Sequence, residues 1–295
     1  MSTQSKARPL VAAMVASTTM GTLGYFVREA APCSAPLCGF MRFAIGLLLL
    51  LPLLCWRSRR GERVWAFSWQ SALSGLGIGI CILFYFLAMR RTTLALAILL
   101  VYPGPVLAAI GESVLLRRLP SLRNGLLMLC SLTGLGLVCA CSGGTQAADG
   151  LGLLYSLISG LGYSVYLLCN SHISAEVPLL RRTFWQFLIG CLFAAVPLFF
   201  VSAPFEGCTE RWYDLLAIGS CHGFVVMMLI VYATRRLSSI RYGTIAFLEP
   251  ITAVGLGYLV YGEILNPLQW CGFALVVAAT LGQGLLPRCK VRKKV

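Results

Sequence analysis

The chain has 295 residues, of which 58% are hydrophobic and only 12% are charged, and its mean hydropathy is +0.83. Soluble globular domains rarely combine such values, so lipid is the expected surrounding of most of the chain. The net charge of +14 does not indicate a nucleic-acid-binding protein. The 24 Lys and Arg residues fall in short clusters between apolar runs and form no basic face.

Ten apolar segments of roughly 20 residues, the length needed to cross a bilayer, follow one another along the chain. They cover approximately residues 9–29, 36–56, 68–88, 94–116, 123–142, 151–171, 184–203, 213–234, 240–261 and 267–287. Continuous apolar runs without alternation of polar residues fit helices rather than barrel strands. The sequence therefore predicts an all-α polytopic membrane protein with ten transmembrane helices.

Lys and Arg are distributed unequally between the two sets of span ends. Nineteen lie at the ends that share a side with both termini, and Arg42 lies within a span. The four at the opposite ends are Arg28, Arg90, Arg91 and Arg211. The positive-inside rule then places both termini in the cytoplasm and the protein in a bacterial-type inner membrane. Lys6 and Arg8 lead into a full-length span, which we interpret as the first span rather than as a cleavable signal.

The 13 cysteines do not indicate a disulfide framework, because most of them lie inside spans, where Cys behaves as a small apolar residue. Only Cys33, Cys38 and Cys208 fall near loops on the external side. A disulfide between Cys208 and one of the other two stays open at this stage. No Cys or His spacing typical of a metal site is present, so we expect neither a metal nor another cofactor.

An internal repeat relates the two halves of the chain. Residues 88–120 align with residues 233–267, which matches Tyr102 with Phe247 and Pro105 with Pro250. The halves, residues 1–146 and 147–295, would then hold five spans each, and an odd number inverts the second half in the membrane. Inverted repeats with proline-interrupted spans at matching positions are typical of secondary transporters. The alternative is chance similarity between two apolar segments.

Two stretches resemble the EamA family of the drug/metabolite transporter superfamily. They are "FMRFAIGLLLLLPLL" in the second span and "LEPITAVGLGYLVYGEILNPLQWCGFALVVAATLG" from residue 248 onwards. The resemblance covers nearly the whole chain and is strongest over residues 233–282. Gly262 and Glu263 match the family's Gly-Glu pair in the second half, whereas Arg117 and Arg118 replace that pair in the first half.

The resemblance implies a fold and an activity. Family members are similar to a basket whose central cavity is formed by spans 1 to 4 and 6 to 9, with spans 5 and 10 at the periphery. They export or take up small metabolites, often amino acids or related compounds, by alternating access. The expected partners of this chain are therefore a small-molecule substrate and the lipid bilayer.

Ionisable residues inside lipid are candidates for a functional site, and the principal ones here are Arg42, Glu112 and Glu249. Glu249 or Glu112 would couple transport to a proton gradient by binding a proton in one access state and releasing it in the other. The alternative is a permanent pair of each carboxylate with Arg42 or a helix end. Arg42 is either a clamp for a substrate carboxylate or a side chain that snorkels to a membrane face. Together these charges suit a zwitterion such as an amino acid.

Aromatic residues and prolines complete the set of candidate site residues. Aromatic side chains within the spans would line a cavity for the substrate, although some of them are equally consistent with interface anchors. They are Tyr25, Tyr85, Tyr102, Trp185 and Phe247. Pro105 and Pro250 would interrupt their helices and free backbone groups towards the cavity.

Two other classes of membrane protein fit the sequence less well. An intramembrane enzyme needs a nucleophile with a base or a metal, but the chain has only two histidines and neither an HExxH nor a GxSxG motif. A receptor or structural protein would not need the inverted repeat. We therefore expect a secondary transporter, not an enzyme, with export of small metabolites as the preferred direction.

Overall fold

The computed structural model describes residues 3–92, 94–115, 117, 122–140, 149–174, 176–203, 205–261 and 267–285. Within these residues the regular structure is helical throughout. The helices of the first half are α1 (Thr3–Gly21), α2 (Leu23–Glu29), α3 (Ala35–Arg59), α4 (Trp69–Met89), α5 (Leu94–Val101), α6 (Pro103–Leu115) and α7 (Leu122–Ala140).

The second half follows with α8 (Gly150–His172), α9 (Leu179–Ala195), α10 (Trp212–Ala217), α11 (Val226–Thr234), α12 (Ser239–Ala246), α13 (Leu248–Tyr261) and α14 (Pro267–Leu285). A 3₁₀ turn, Val196–Phe200, extends α9. A π-helical segment, Ile218–Val225, joins α10 to α11. Side chains cap the starts of α3 and α8: that of Ser34 accepts a hydrogen bond from the Leu37 amide, and that of Asp149 accepts one from the Leu151 amide, both at 3.3 Å.

Six of the helical stretches are long and apolar enough to cross a membrane. They are Arg8–Glu29, Ala35–Arg59, Trp69–Met89, Gly150–His172, Leu179–Phe200 and Trp212–Thr234. The prediction of an all-helical chain with membrane-length spans is thus confirmed for six of the ten segments. The seventh predicted segment begins earlier than expected, at Leu179 rather than at residue 184.

Two of the predicted continuous spans are instead pairs of shorter helices. Segment 94–116 divides into α5 and α6 at Tyr102, and segment 240–261 divides into α12 and α13 at Phe247. Each division lies three residues before a proline, Pro105 or Pro250. A proline has no backbone N–H and therefore cannot bond the carbonyl four residues earlier, which loosens that turn of the helix.

Helix α4 packs very closely on α8 and α9, and glycines make this approach possible. A methyl group at Gly77 would lie 2.7 Å from the amide nitrogen of Tyr166 and 2.9 Å from the carbonyl oxygen of Gly162. Gly79 faces the backbone of Gly190 in the same way. Small residues at such crossings let two backbones approach, which is a common means of helix association in membranes. The two halves of the chain are therefore joined through backbone contacts of α4.

We expect Gly77→Ala to lower the thermal stability of the protein markedly. The added methyl group meets backbone atoms that cannot rotate away, and overpacking of this kind costs about 1–3 kcal/mol. Gly136→Ala is the matched control, because nothing lies within 4 Å of the methyl group it would add. Thermal unfolding in nanodiscs measures the difference, and equal melting temperatures for the two variants would contradict the tight crossing.

Helices α7 and α14 pack against each other at Gly134 and Gly272, where a methyl group on Gly134 would lie 2.7 Å from the Gly272 carbonyl oxygen. These are the predicted spans 5 and 10. Some sequence predictions cannot be compared with the structure: Arg118, Gly262, Glu263 and the boundary between residues 146 and 147 lie outside the described residues. Arg117 is described and is exposed to the surroundings of the bundle.

Candidate functional site

A cavity lies at the centre of the bundle and encloses about 570 Å³, counting its opening to the surroundings. Residues from α1, α3, α4, α5, α8, α11, α12 and α13 line it, and so does Tyr102 at the break between α5 and α6. Among the described residues, α7 and α14 contribute no lining side chain.

The cavity wall is largely apolar but carries a limited set of polar groups. Its apolar part includes Met20, Ile78, Ile82, Ile98, Met227 and Ile230. Its polar part contains one cation, one carboxyl, one serine and five tyrosines. An apolar pocket with a few convergent polar groups is the usual composition of a small-molecule site.

Arg42 supplies the cation, and its side chain is completely buried. α3 places it there because the π-helical segment packs directly on its backbone: a methyl group on Gly223 would collide with the Arg42 carbonyl oxygen. The guanidinium makes one weak contact, from Nη2 to the sulfur of Met20 at 3.5 Å. Nε and Nη1 have no hydrogen-bond partner among the residues that the structure describes. A buried guanidinium with unpaired N–H groups is costly, so these donors favour an anionic ligand.

Glu249 supplies the carboxyl from the first turn of α13. It is half-buried, and its Oε2 lies 3.1 Å from the hydroxyl oxygen of Tyr102. Among the described residues, neither Glu249 nor Arg42 takes part in an ion pair within 4 Å. The two opposite charges thus share one cavity without neutralising each other directly.

The two helix breaks meet beside Glu249. The ring centroids of Tyr102 and Phe247, one residue from each break, are 4.8 Å apart. The Tyr102 hydroxyl also donates a hydrogen bond of 2.7 Å to the carbonyl oxygen of Ala246, the last residue of α12. Pro250, four residues after Ala246, has no amide proton to offer this carbonyl. Tyr102 therefore replaces the hydrogen bond that the proline removes.

Further polar groups face the cavity. The hydroxyl of Tyr166 is buried and has no hydrogen-bond partner among the described residues, and Ser17 contributes a second buried hydroxyl. Tyr85, Tyr163 and Tyr242 complete the tyrosine set. The sequence reasoning missed Ser17 and Tyr242; the available signal was a polar residue inside an apolar segment.

The structure places several predicted site residues away from the cavity wall. Phe247 is fully buried next to Tyr102 but is not itself part of the lining, and Glu112 lies on α6, half-buried. Tyr25 packs edge-on against Phe26. Trp185 donates from its indole nitrogen to the carbonyl oxygen of Ala66 at 3.0 Å, at one end of the bundle. Arg42, Tyr85, Tyr102 and Glu249 are the predicted site residues that the cavity brings together.

The loops outside the spans carry ion pairs and free thiols. Arg91 donates to the Asp149 carboxylate at 2.8 Å and holds the pKa of that carboxyl below its usual range. Arg211 lies 3.5 Å from Glu29 and thereby joins the loop before α10 to the end of α2. Cys33, Cys38 and Cys208 are free thiols, and burial, followed by the nearby Cys208, raises the pKa of Cys33. In the described part of the chain no cluster of His, Cys, Asp or Glu side chains could hold a metal ion.

Comparison with known proteins agrees with this architecture. The chain is 26% identical over 272 residues to an uncharacterized transporter of Archaeoglobus fulgidus, covering 92% of this chain and 94% of that protein. It is 25% identical over 288 residues to the threonine/homoserine exporter RhtA of Escherichia coli K12, covering 95% of this chain and 92% of RhtA. A crystal structure that is 18% identical has the same fold, with a TM-score of 0.79 over 96% of this chain and 99% of that chain.

A family model accounts for most of the sequence. The model of the EamA-like transporter family matches residues 7–140 and again residues 150–283. These matches agree with the central cavity, the membrane-length helices and the relatives named as transporters. The chain is a multi-pass membrane transporter that belongs to the EamA-like transporter family.

Proposed function

We propose that this protein exports small zwitterionic metabolites, such as amino acids, by secondary transport through the central cavity. The observation that carries the proposal is the pair of separated opposite charges, Arg42 and Glu249, in one largely apolar cavity. The similarity to RhtA, which is named a threonine/homoserine exporter, supports both the substrate class and the direction.

The substrate would bind with its two charged ends apart. Its carboxylate would accept hydrogen bonds from Nε or Nη1 of Arg42, which have no partner in the described part of the chain, and Tyr166 lines the same cavity. Its ammonium would approach Glu249. The isoleucine and methionine side chains of the wall would then surround an apolar or weakly polar substrate side chain. Charge-assisted hydrogen bonds at both ends would make the site selective for zwitterions.

The transport cycle would rest on two inverted five-span halves that alternately open the cavity to each side of the membrane. Tyr102 and Phe247, which the repeat alignment matches with each other, lie in contact between the halves, as expected of two residues near a pseudo-two-fold axis. The short helices α5, α6, α12 and α13 would each cross half of the membrane. The full number of spans in this scheme is ten.

A proton would drive this cycle through Glu249. The carboxyl can hold either a proton or the ammonium of the substrate, so loading of one would release the other. Because the carboxyl lies at the centre of the bundle and can be reached from the cavity, each access state would expose it to one side only. The result would be exchange of an outgoing metabolite for an incoming proton.

Counterflow in proteoliposomes tests this function directly. Vesicles preloaded with one amino acid at high concentration are placed in trace radiolabelled threonine, homoserine, leucine, an organic amine or a monocarboxylic acid. We expect transient accumulation of labelled zwitterions, and little of the amine or the acid. Accumulation of the amine or the acid in preference to every zwitterion would contradict the proposed substrate class.

The orientation that the Lys and Arg distribution predicts, with both termini in the cytoplasm, places Cys208 on the external side. We expect a membrane-impermeant maleimide to label Cys208 in intact cells, because this thiol is only partly buried. Mass spectrometry of the peptide that contains Cys208 measures the label. Labelling only after the cells are opened would reverse the orientation.

A further inference from the structure

The hydrogen bond between the two helix breaks depends on a single proton, that of the Tyr102 hydroxyl. The hydroxyl of Tyr102 lies 2.7 Å from the Ala246 carbonyl oxygen and 3.1 Å from Oε2 of Glu249. A carbonyl and an ionised carboxylate are both acceptors only, and a phenol has one proton to donate. While Glu249 is ionised, Tyr102 therefore cannot make a full-strength hydrogen bond to both groups at once.

Protonation of Glu249 resolves this conflict. A protonated carboxyl has an O–H of its own, which can donate to the oxygen of Tyr102 while Tyr102 donates to Ala246. When the proton leaves, the carboxylate becomes the stronger acceptor, because hydrogen bonds to a charged group are about twice as strong as neutral ones. The tyrosine proton then turns to Glu249, and the Ala246 carbonyl loses its partner.

The Ala246 carbonyl cannot make the usual α-helical hydrogen bond in place of this one. The residue four positions later is Pro250, which lacks the amide proton that would otherwise bond this carbonyl. Loss of the tyrosine bond therefore loosens the end of α12 at the point where it meets the α5–α6 break. The other contact across this junction, between the rings of Tyr102 and Phe247, is apolar and does not depend on protonation.

We propose that Tyr102 is a positioning residue that ties the two broken helices together when Glu249 is protonated and releases them when Glu249 is ionised. The proposal rests on the proposed function in one respect: it assumes that the contact between the two helix breaks changes during transport. It deepens that function by giving the proton a structural effect: protonated Glu249 holds the halves in the tied arrangement, and ionised Glu249, free to bind a substrate ammonium, allows them to separate.

Other titratable or charged groups lie near Glu249 and can influence its protonation. Arg42 on α3 favours the ionised carboxyl, whereas tyrosines and one thiol of the same wall remain neutral near physiological pH. These neutral groups are Cys81, Tyr85, Tyr163, Tyr166 and Tyr242. α1, α2 and α14 pack against α13. α1 contributes Ser17 and Met20 to the wall, neither of which titrates, whereas the titratable or charged residues Tyr25, Arg28 and Glu29 of α2 and Cys271 of α14 lie outside the described wall. Among the described wall residues, Arg42 is thus the fixed charge near Glu249. A substrate carboxylate bound to Arg42 would weaken the effect of the Arg42 charge on Glu249.

Hydrogen–deuterium exchange of the protein in nanodiscs tests the proposal without any substrate. The measured peptides cover residues 239–250, and intrinsic exchange rates are corrected at each pH between about 5 and 9, a range that covers buried carboxyls. In the wild-type protein we expect protection of this segment to fall about fivefold as pH rises, the effect of losing one neutral hydrogen bond.

Three variants make the outcome specific. Tyr102→Phe cannot bond Ala246, so its protection should be low at every pH. Glu249→Gln offers an amide N–H to Tyr102 at every pH, so its protection should stay high. Tyr155→Phe removes a hydroxyl from α8 outside the described cavity wall, where the Tyr155 ring packs against Phe84, and it should follow the wild type.

Two results would overturn the proposal. One is a ratio of wild-type to Tyr102→Phe exchange protection that stays constant with pH. The other is a Glu249→Gln variant whose protection of residues 239–250 still falls as pH rises. Because no substrate is present, failure of this test leaves the transport function standing. Conversely, absence of amino-acid counterflow would refute the proposed function while leaving the pH-dependent junction measurable.

Discussion

Arg42→Gln is expected to lower the affinity for zwitterionic substrates by at least about 30-fold. Removing one partner of a buried charge-assisted pair costs about 2–5 kcal/mol, and Arg42 is the only cation among the cavity-lining residues that the structure describes. Glutamine keeps hydrogen-bonding capacity but lacks the charge that a carboxylate needs in an apolar pocket. Binding of radiolabelled threonine to the purified protein, followed by competition with unlabelled compounds, measures the loss.

A carboxamide analogue of the substrate provides the control for this experiment. The wild-type protein should prefer the carboxylate strongly over the carboxamide, whereas Arg42→Gln should bind both weakly and with little preference. Arg42→Lys, which keeps the charge, should recover part of the preference and serves if the glutamine variant does not fold. A glutamine variant that keeps the full wild-type preference for the carboxylate would remove Arg42 from the substrate site.

Much of the fold could be predicted from segment length and hydropathy, because a helix that crosses a bilayer needs about 20 apolar residues. The predicted start of the seventh segment, residue 184, was wrong, because the charges of Arg181 and Arg182 suggested a loop there. Arg182 lies inside α9, only 1% exposed, because its Nη2 donates to the Ile173 carbonyl oxygen at the end of α8. A charge that finds a backbone partner in a neighbouring helix cannot be recognised from its position in the sequence.

The helix breaks could be predicted only in part. Pro105 and Pro250 indicate which carbonyls lose their bonds, but the helices divide three residues earlier, at Tyr102 and Phe247. Whether a proline merely bends a helix or divides it depends on what else bonds the freed carbonyl. For Ala246 that partner is a tyrosine 144 residues away in the chain. Such a contact belongs to the tertiary structure and leaves no local pattern in the sequence.

The candidate site shows a similar limit. The sequence indicates which residues are costly to place in lipid, but not which side chains face the cavity. Arg42 and Glu249 were predictable because a charge in lipid is expensive and is retained for a reason. Trp185 and Tyr25 were equally plausible by composition, yet the rotation of their helices leaves both outside the described cavity wall, and the Trp185 indole instead donates to the Ala66 carbonyl oxygen. Ser17 and Tyr242 face the cavity by the same rotation. Only packing between helices determines which side of each helix faces inwards.

Glu249→Gln is expected to abolish substrate accumulation driven by a pH gradient while it leaves exchange at equal pH largely intact. Glutamine can still accept a hydrogen bond from a substrate ammonium, so exchange measured at saturating substrate should persist, although the lost charge lowers the substrate affinity by about 10- to 150-fold, the worth of a hydrogen bond to a charged group. It cannot exchange a proton, so no gradient can be converted into movement of substrate. Uptake of labelled threonine into proteoliposomes with an acidic interior measures both properties.

Glu112→Gln provides the matched control, because Glu112 is the other carboxyl predicted within a membrane span but lies on α6, outside the described cavity wall. This variant should accumulate threonine like the wild type, and an ionophore that collapses the pH gradient should stop both. If Glu112→Gln instead loses accumulation while Glu249→Gln keeps it, the proton pathway runs along α6 and not through the cavity. If neither variant loses accumulation, transport is driven without either carboxyl, and Glu249 serves substrate binding alone.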